Sequence, residues 1–344
     1  MEKTGSIPGF VIHYTVIPPE VTMKKIIGLT IVLLVVLSAG VFGQFDQLES
    51  DFSKLMLLIG REAVPQIQQN DLAGTGIGVA SLEGDWFYLS VTAGAVITDG
   101  VPDFVHDKTN SEFTALDVYG LIEDAFPSSG IGRDIYEESK NIFPYPTLKL
   151  AFGARLLGLD FILSGIGVPS GVISSDDLEA DLIHFAIRVR KALIKERGWI
   201  PTISLGVGYA YSSIHFKYTL DEFTQDYSGQ DLIINGGLSL DTRVHSFGFD
   251  VGVSQTILFI TPFFRTSIWY QDALYETKGN LTAQLGAGSP TGLNPSAEVT
   301  LNDWSVMFAG GLDFNLFLLQ LCATGTYNPS TESWGAEVSL RFGF

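Results

Sequence analysis

The sequence predicts an all-β fold: a transmembrane antiparallel β-barrel of about twelve strands, range about ten to fourteen, behind an N-terminal amphipathic helix. Three observations predict it. Segment after segment alternates apolar residues with small or polar ones at period two. The charged fraction is 17%, below the roughly 25% usual for soluble domains. The face opposite the apolar one carries Gly, Ser, Ala and Thr with isolated charges, where a soluble sandwich would turn Lys, Glu and Thr to water.

The front end reads as a targeting segment. Lys24 and Lys25 form a basic start, Ile26 to Leu37 an apolar run and Val41-Phe42-Gly43 a small-residue exit, so residues 23–43 are expected to be a secretory signal peptide cut after Gly43. The run is shorter than the about twenty residues that a membrane-spanning helix needs. Met23 is then the expected start, and Met1 to Thr22 an untranslated or disordered extension. The single cysteine, Cys322, lies far from the cleavage site and allows no lipid anchor there, no internal disulfide and no cysteine metal cluster. No cofactor is expected. The formal net charge of −18 repels nucleic acid.

After the signal, Phe45, Leu48, Phe52, Leu55, Ile59 and Ala63 share one helical stripe, to be ended by Pro65 and the run Gly74, Gly76, Gly78. Residues 44–80 form this helix and its Gly-rich lead-in. Those glycines precede a strand and lack the spacing of a dinucleotide loop. The helix can plug the lumen, lie on the membrane surface or pack under the barrel mouth.

The barrel itself is expected over 81–344. Phe87 to Ile97 is the first strand, with Phe87, Leu89, Val91, Ala93 and Ala95 opposite Tyr88, Ser90, Thr92 and Gly94. A long loop, 98–146, follows. Further strands are expected at 149–156, 160–167, 182–194, 202–213, 232–240, 246–254, 259–270, 275–285, 304–313, 316–327 and 334–344. Tight turns are expected at Gly158, Lys195–Trp199, Asp241–Thr242 and Asp313–Asn315. Longer connections are expected at 98–146, 176–181, 221–230, 286–295 and 328–333, and an even strand count puts all of these at one end. Tyr209, Tyr211, Tyr270, Trp304, Tyr327 and Trp334 cluster toward strand ends, as aromatic girdles do at membrane interfaces.

The terminal strand has Trp334, Ala336, Val338, Leu340, Phe342 and Phe344 on one face and Gly335, Glu337, Ser339, Arg341 and Gly343 on the other. It resembles the last strand of bacterial outer-membrane barrels. That resemblance implies location in the outer membrane, contact with its lipid, and Val338, Leu340, Phe342 and Phe344 as the signal read by the assembly machinery. Signal peptide, N-terminal helix, apolar outer loop and terminal Phe together resemble, at the level of architecture, the long-chain fatty-acid transporter class, including its divergent spirochaete members. The class implies passive passage of small hydrophobic or amphipathic solutes. Its Asn-Pro-Ala-type hatch is replaced here by Asn70-Asp71-Leu72-Ala73. The alternative is a non-conducting structural or surface-exposed barrel whose loops bind envelope or host partners.

Candidate lumen residues follow from face parity. Lys149, Arg155, His184, Arg188, Arg190, Asp250 and Arg265 point inward, with Asp160, Asp313, Glu337 and Arg341. Opposite charges in a lumen pair to close it, or Arg188 and Arg190 form a basic rung that draws anions. In the long loop, Phe104, Phe113, Leu116, Val118, Tyr119, Leu121, Ile122 and Phe126 form either a mini-core or an apolar catchment for solutes. Enzyme chemistry is not expected. His245-Ser246, the nearest match to a barrel phospholipase pair, splits across two faces, and the histidines lack metal-ligand spacing.

Overall fold

Period-two segments form ten long strands among the residues described by the computed structural model: 6–7, 10–11, 45–72, 80–82, 86–98, 143–174, 178–227 and 230–343. The strands are β1 (Phe87–Thr98), β2 (Phe143–Leu156), β3 (Leu159–Ser174), β4 (Leu178–Ile194), β5 (Thr202–Tyr227), β6 (Gln230–Ser254), β7 (Ile260–Leu285), β8 (Ser296–Leu316), β9 (Leu319–Asn328) and β10 (Ser333–Gly343). Each pairs antiparallel with its sequence neighbours, and β10 returns to β1 from Trp334↔Ile97 to Gly343↔Tyr88, which closes the ring. Closure leaves no bare edge where β8 and β9 run together, whereas β8 above Phe308 pairs, among the described residues, with β7 and not with β9. A short strand, Thr291–Leu293, hangs on β7 outside it. Ser6–Ile7 pairs with Phe10–Val11 near the start of the chain.

Ten strands replace the expected twelve because two expected breaks are continuous ladder. Asp241-Thr242 sits inside β6, with Asp241 opposite both His215 and Glu276. Residues 271–274 sit inside β7, where Asp272 faces His245 and Asn302. The expected loop at 221–230 likewise shrinks as β5 runs to Tyr227, Glu179 and Asp181 belong to β4, and Asp313–Asn315 belong to β8, whose turn is Phe317-Leu318. Parity survives these corrections. The connections after β1, β3, β5, β7 and β9 share one end, hereafter the loop end, and the short turns after β2, β4, β6 and β8 share the other.

The outward face has two zones. Near the turn end it is apolar, as with Phe247, Phe249 and Val251 on β6 or Phe264 and Ile268 on β7, all exposed. The zone stops at an aromatic ring in which Tyr270 packs on Trp304 (5.4 Å) and Tyr327 on Trp334 (4.2 Å). From Ile260 to Tyr270 the strand has the roughly 9–11 tilted residues that cross a bilayer. Above the ring, β5 to β8 continue as a collar with His245, Arg243, Asp272, Lys278 and Asn280 exposed outside. The inner face inverts in step, and Val244, Ala273, Tyr275, Leu281 and Val299 become buried. The outward face of the closed barrel thus suits lipid near the turn end and water above the aromatic ring. Apolar residues also occupy the turn tips. Leu157, Leu258 and Phe317 are 93%, 89% and 97% exposed and sit at positive φ of 55°, 61° and 67°. This conformation costs an L-residue roughly 1–2 kcal/mol.

Candidate functional site: the filled lumen

The expected helix forms as α1 (Phe45–Leu72) and continues through Pro65 without ending there. Proline removes one backbone donor, and the barrel wall around α1 holds the remaining turns. The side chains of Phe45, Leu48, Phe52, Leu55, Ile59 and Ala63 lie outside the described residues, as do Gly74, Gly76 and Gly78. The described buried positions, Met56, Gly60, Val64 and Ile67, recur at helical spacing and face the collar. Val64 and Ile67 pack with Val244, Ala273, Tyr275 and Val299, flanked by Leu57, Ile214, Leu240 and Leu301. Thr277 donates its hydroxyl to the Met56 sulfur at 3.0 Å. The Tyr275 ring lies against Gly60, and desolvation pushes its phenol above the ordinary value.

α1 lies against the inner face of the β5–β8 collar, and its direction is fixed at both ends. At the loop end the Asn294 amide donates to the Glu49 carboxylate (3.2 Å) and the Ser296 amide to the Ser53 hydroxyl (3.2 Å). Deeper in, the Gln69 amide donates to the Thr326 hydroxyl (3.0 Å) and accepts from Ser333. Next to it, Asn70 accepts from Thr147 (2.7 Å) through its side chain and from Lys149 through its carbonyl. Gln69 thus reaches β9 and the start of β10, Asn70 reaches β2, and β1 lies between them. Beyond the helix the Ala80 amide donates to Ser254 (2.9 Å) and the Leu82 amide to Asp160 (3.0 Å), both at the turn end. The described segments 45–72 and 80–82 thus have their outer ends at the loop end and at the turn end.

Of the predicted inner charges, Arg188, Arg190 and Asp250 lie close together. Lys149, His184, Arg188, Arg190, Asp250 and Arg265 are all buried on the inner wall, and Arg155 is partly so. Arg188 pairs with Asp250 at 3.5 Å, Arg341 with Asp313 at 3.1 Å and Arg155 with Asp160 at 3.9 Å. Glycine makes room for this: a Cβ on Gly206 would stand 2.5 Å from the Asp250 carboxylate and 2.9 Å from the Arg190 stem. His184 shares a hydrogen bond with Ser212 at 3.0 Å. Two inner aromatics, not singled out as site residues from sequence, cap the arginines. Arg188 stacks over Trp269 (5.5 Å) and Arg341 over Tyr88 (5.7 Å). The parity that placed Arg265 and Ser90 inward also places them there. A gap in the wall, lined by inner residues such as Ser164, Arg188 and Trp269 and by outer ones such as Ile187 and Tyr209, has about 10 Å³ of room, the size of one water.

The apolar outer-loop set, Phe104, Phe113, Leu116, Val118, Tyr119, Leu121, Ile122 and Phe126, lies outside the described residues, as does Phe344. Val338, Leu340 and Phe342 line the lipid side of β10. His245 is exposed on the outer wall while Ser246 is buried inside, so they form no catalytic pair. His245 lies well inside β6, above the aromatic ring, and not at a strand start near the turn end. Among the described residues no group of three or more His, Cys, Asp or Glu is placed to hold a metal.

No family model matches the chain, and no curated protein matches it. Solved structures do. The translocator domain of the autotransporter NalP from Neisseria meningitidis is 10% identical, with 84% of this chain and 99% of that one covered at a TM-score of 0.35. The toluene transporter TbuX of Ralstonia pickettii is 9% identical over 76% of this chain and 90% of its own, TM-score 0.25. LpxR from Salmonella typhimurium is 8% identical over 74% and 100%, TM-score 0.27. The assignment of a closed membrane barrel rests on the strand ladder and the apolar belt themselves.

Proposed function

We propose that the protein is a plugged bacterial outer-membrane barrel that holds its collar and loops at the cell surface to bind envelope or host partners. The position of α1 supports this reading. A helix fixed at the loop end and clasped by Gln69 and Asn70 fills the upper lumen, and paired arginines and carboxylates fill the lower. Ten strands enclose little more than the eight whose side chains alone fill the interior. Residues 23–43 act as the cleaved signal, and the β10 face guides assembly.

A second reading is passage of small hydrophobic or amphipathic solutes after the helix moves. It is favoured by the clasp at Gln69 and Asn70, whose hydrogen bonds are reversible, and by the apolar sequence of the long loop. Single-channel recording in planar bilayers separates the two. The first reading expects silence from the full chain and from Gln69→Ala/Asn70→Ala. Steady pores in the double variant, with a labelled fatty acid bound above detergent background, overturn it in favour of transport. Orientation is tested with Ser50→Cys, an exposed position on α1 near the loop end. A membrane-impermeant maleimide labels it on intact cells if the loop end faces outward, and fails to if it does not.

A further inference from the structure

The outer wall carries an arrangement that neither plugging nor passage uses. Along β6, exposed side chains run upward from the apolar belt as Val251, Phe249 and Phe247, and then as His245 and Arg243. Two nitrogenous side chains stand directly above a stripe on which acyl chains lie. On β5 the register sets Tyr211 beside His245 and Ser213 beside Arg243. The Tyr209 hydroxyl lies 2.8 Å from His245 Nδ1, and the Tyr211 ring packs on the imidazole at 4.8 Å. A hydroxyl donating to Nδ1 leaves the ring proton on Nε2, where it can be given to an anion.

The nearby carboxylates are engaged elsewhere. Asp241 holds His215 at 2.7 Å, and Glu276 is 4.0 Å from Lys278. Asp272, opposite His245 on β7, is reached at 2.7 Å by the Asn302 amide when that amide is turned to donate. Among the described residues no carboxylate lies within ion-pair distance of Arg243. A guanidinium and an imidazole N–H two residues apart on one face suit a tetrahedral phosphate, whose oxygens accept several donors at once.

We propose that Arg243 and His245, oriented by Tyr209 and Tyr211, bind the phosphate of a phosphorylated lipid in the leaflet at the loop end, its acyl chains lying on Phe247, Phe249 and Val251. The site rests on the membrane reading, because the apolar belt supplies half of it. It is continuous with the lipid-facing surface, and the aromatic ring sets its height at the head-group layer.

The test uses the full chain reconstituted in phosphatidylcholine vesicles containing a minor share of labelled phosphatidic acid. Vesicle flotation is measured first, then phosphatidic acid retained per protein after transfer to detergent. Wild type floats and retains the acidic lipid in preference to phosphatidylcholine. Arg243→Gln/His245→Gln floats equally and loses about fivefold or more of that retention. Lys278→Gln, exposed on the neighbouring strand β7, keeps it. Added inorganic phosphate at matched ionic strength leaves retention unchanged if the whole lipid is the ligand. Equal retention by the double variant, equal loss in Lys278→Gln, or displacement by inorganic phosphate alone overturns the site while leaving the membrane reading intact. Failure of wild type to float overturns both.

Discussion

Substituting Gly60 with alanine tests the packing of α1 against its wall through the sign of the change. In an unobstructed helix Gly→Ala stabilises by about 1 kcal/mol, because alanine loses less backbone freedom. Here the new Cβ would sit 2.4 Å from two ring carbons of Tyr275, which is itself buried. Carbon atoms rest about 3.5–4.0 Å apart, so helix and ring must separate by about 1 Å. Tyr275 has nowhere to go, wedged among Val64, Ile67, Val244, Ala273 and Val299. Overpacking of this kind costs about 1–3 kcal/mol, which outweighs the propensity gain and leaves a net loss of about 1 kcal/mol. Urea unfolding of the barrel in lipid vesicles, followed by tryptophan fluorescence, reads that difference. Tyr275→Leu removes the obstruction, so Gly60→Ala placed on that background should become neutral or stabilising, a coupling of at least about 1 kcal/mol. If Gly60→Ala alone stabilises and the cycle shows no coupling, α1 does not pack on this wall.

Asp250→Ala takes from buried Arg188 the carboxylate at 3.5 Å and should cost about 3–5 kcal/mol in the same unfolding assay, whereas Asp250→Leu/Arg188→Leu should recover most of that loss. Phe249→Arg puts a charge in the apolar belt and should cost about 2–4 kcal/mol. Asn280→Arg, on the collar's outer face, should change stability by less than about 0.5 kcal/mol. Equal costs at the two positions would mean that the aromatic ring does not mark the membrane boundary. Cys322 is buried on the inner wall, so a thiol-directed reagent should leave the folded protein unlabelled and modify it fully in denaturant; rapid labelling of the folded protein contradicts a filled lumen.

Face parity was the most legible feature of the sequence. It assigned Lys149, His184, Arg188, Arg190, Asp250 and Arg265 to the interior before any coordinates did, because a two-residue period has only two phases. The strand count was harder to read, for a physical reason. On β6 the apolar residues occupy odd positions from Val251 to Phe247 and even positions from Val244 upward, and on β7 the phase flips between Tyr270 and Ala273. Each flip marks the change from lipid outside to water outside on a continuous strand, and in sequence it looks like a turn. The lumen partners Gln69 and Asn70 were hidden by distance along the chain. Only the closed ring brings Gln69 within reach of Ser333, 264 residues away.

A segment that passes through the ring it later completes constrains the order in which the molecule can be built. Thr147 and Ser333, which grip Asn70 and Gln69, lie on the two strands that flank β1. Joining β10 to β1 therefore locks the rod inside, as a hoop is fastened around a stave. A rod arriving after that junction would have to enter from the turn end, where its lead-in is held at Ser254 and Asp160, and draw its Glu49 end past the paired arginines and carboxylates. The shortest route is for the N-terminal helix to be seated against its wall before the C-terminal strand zips shut.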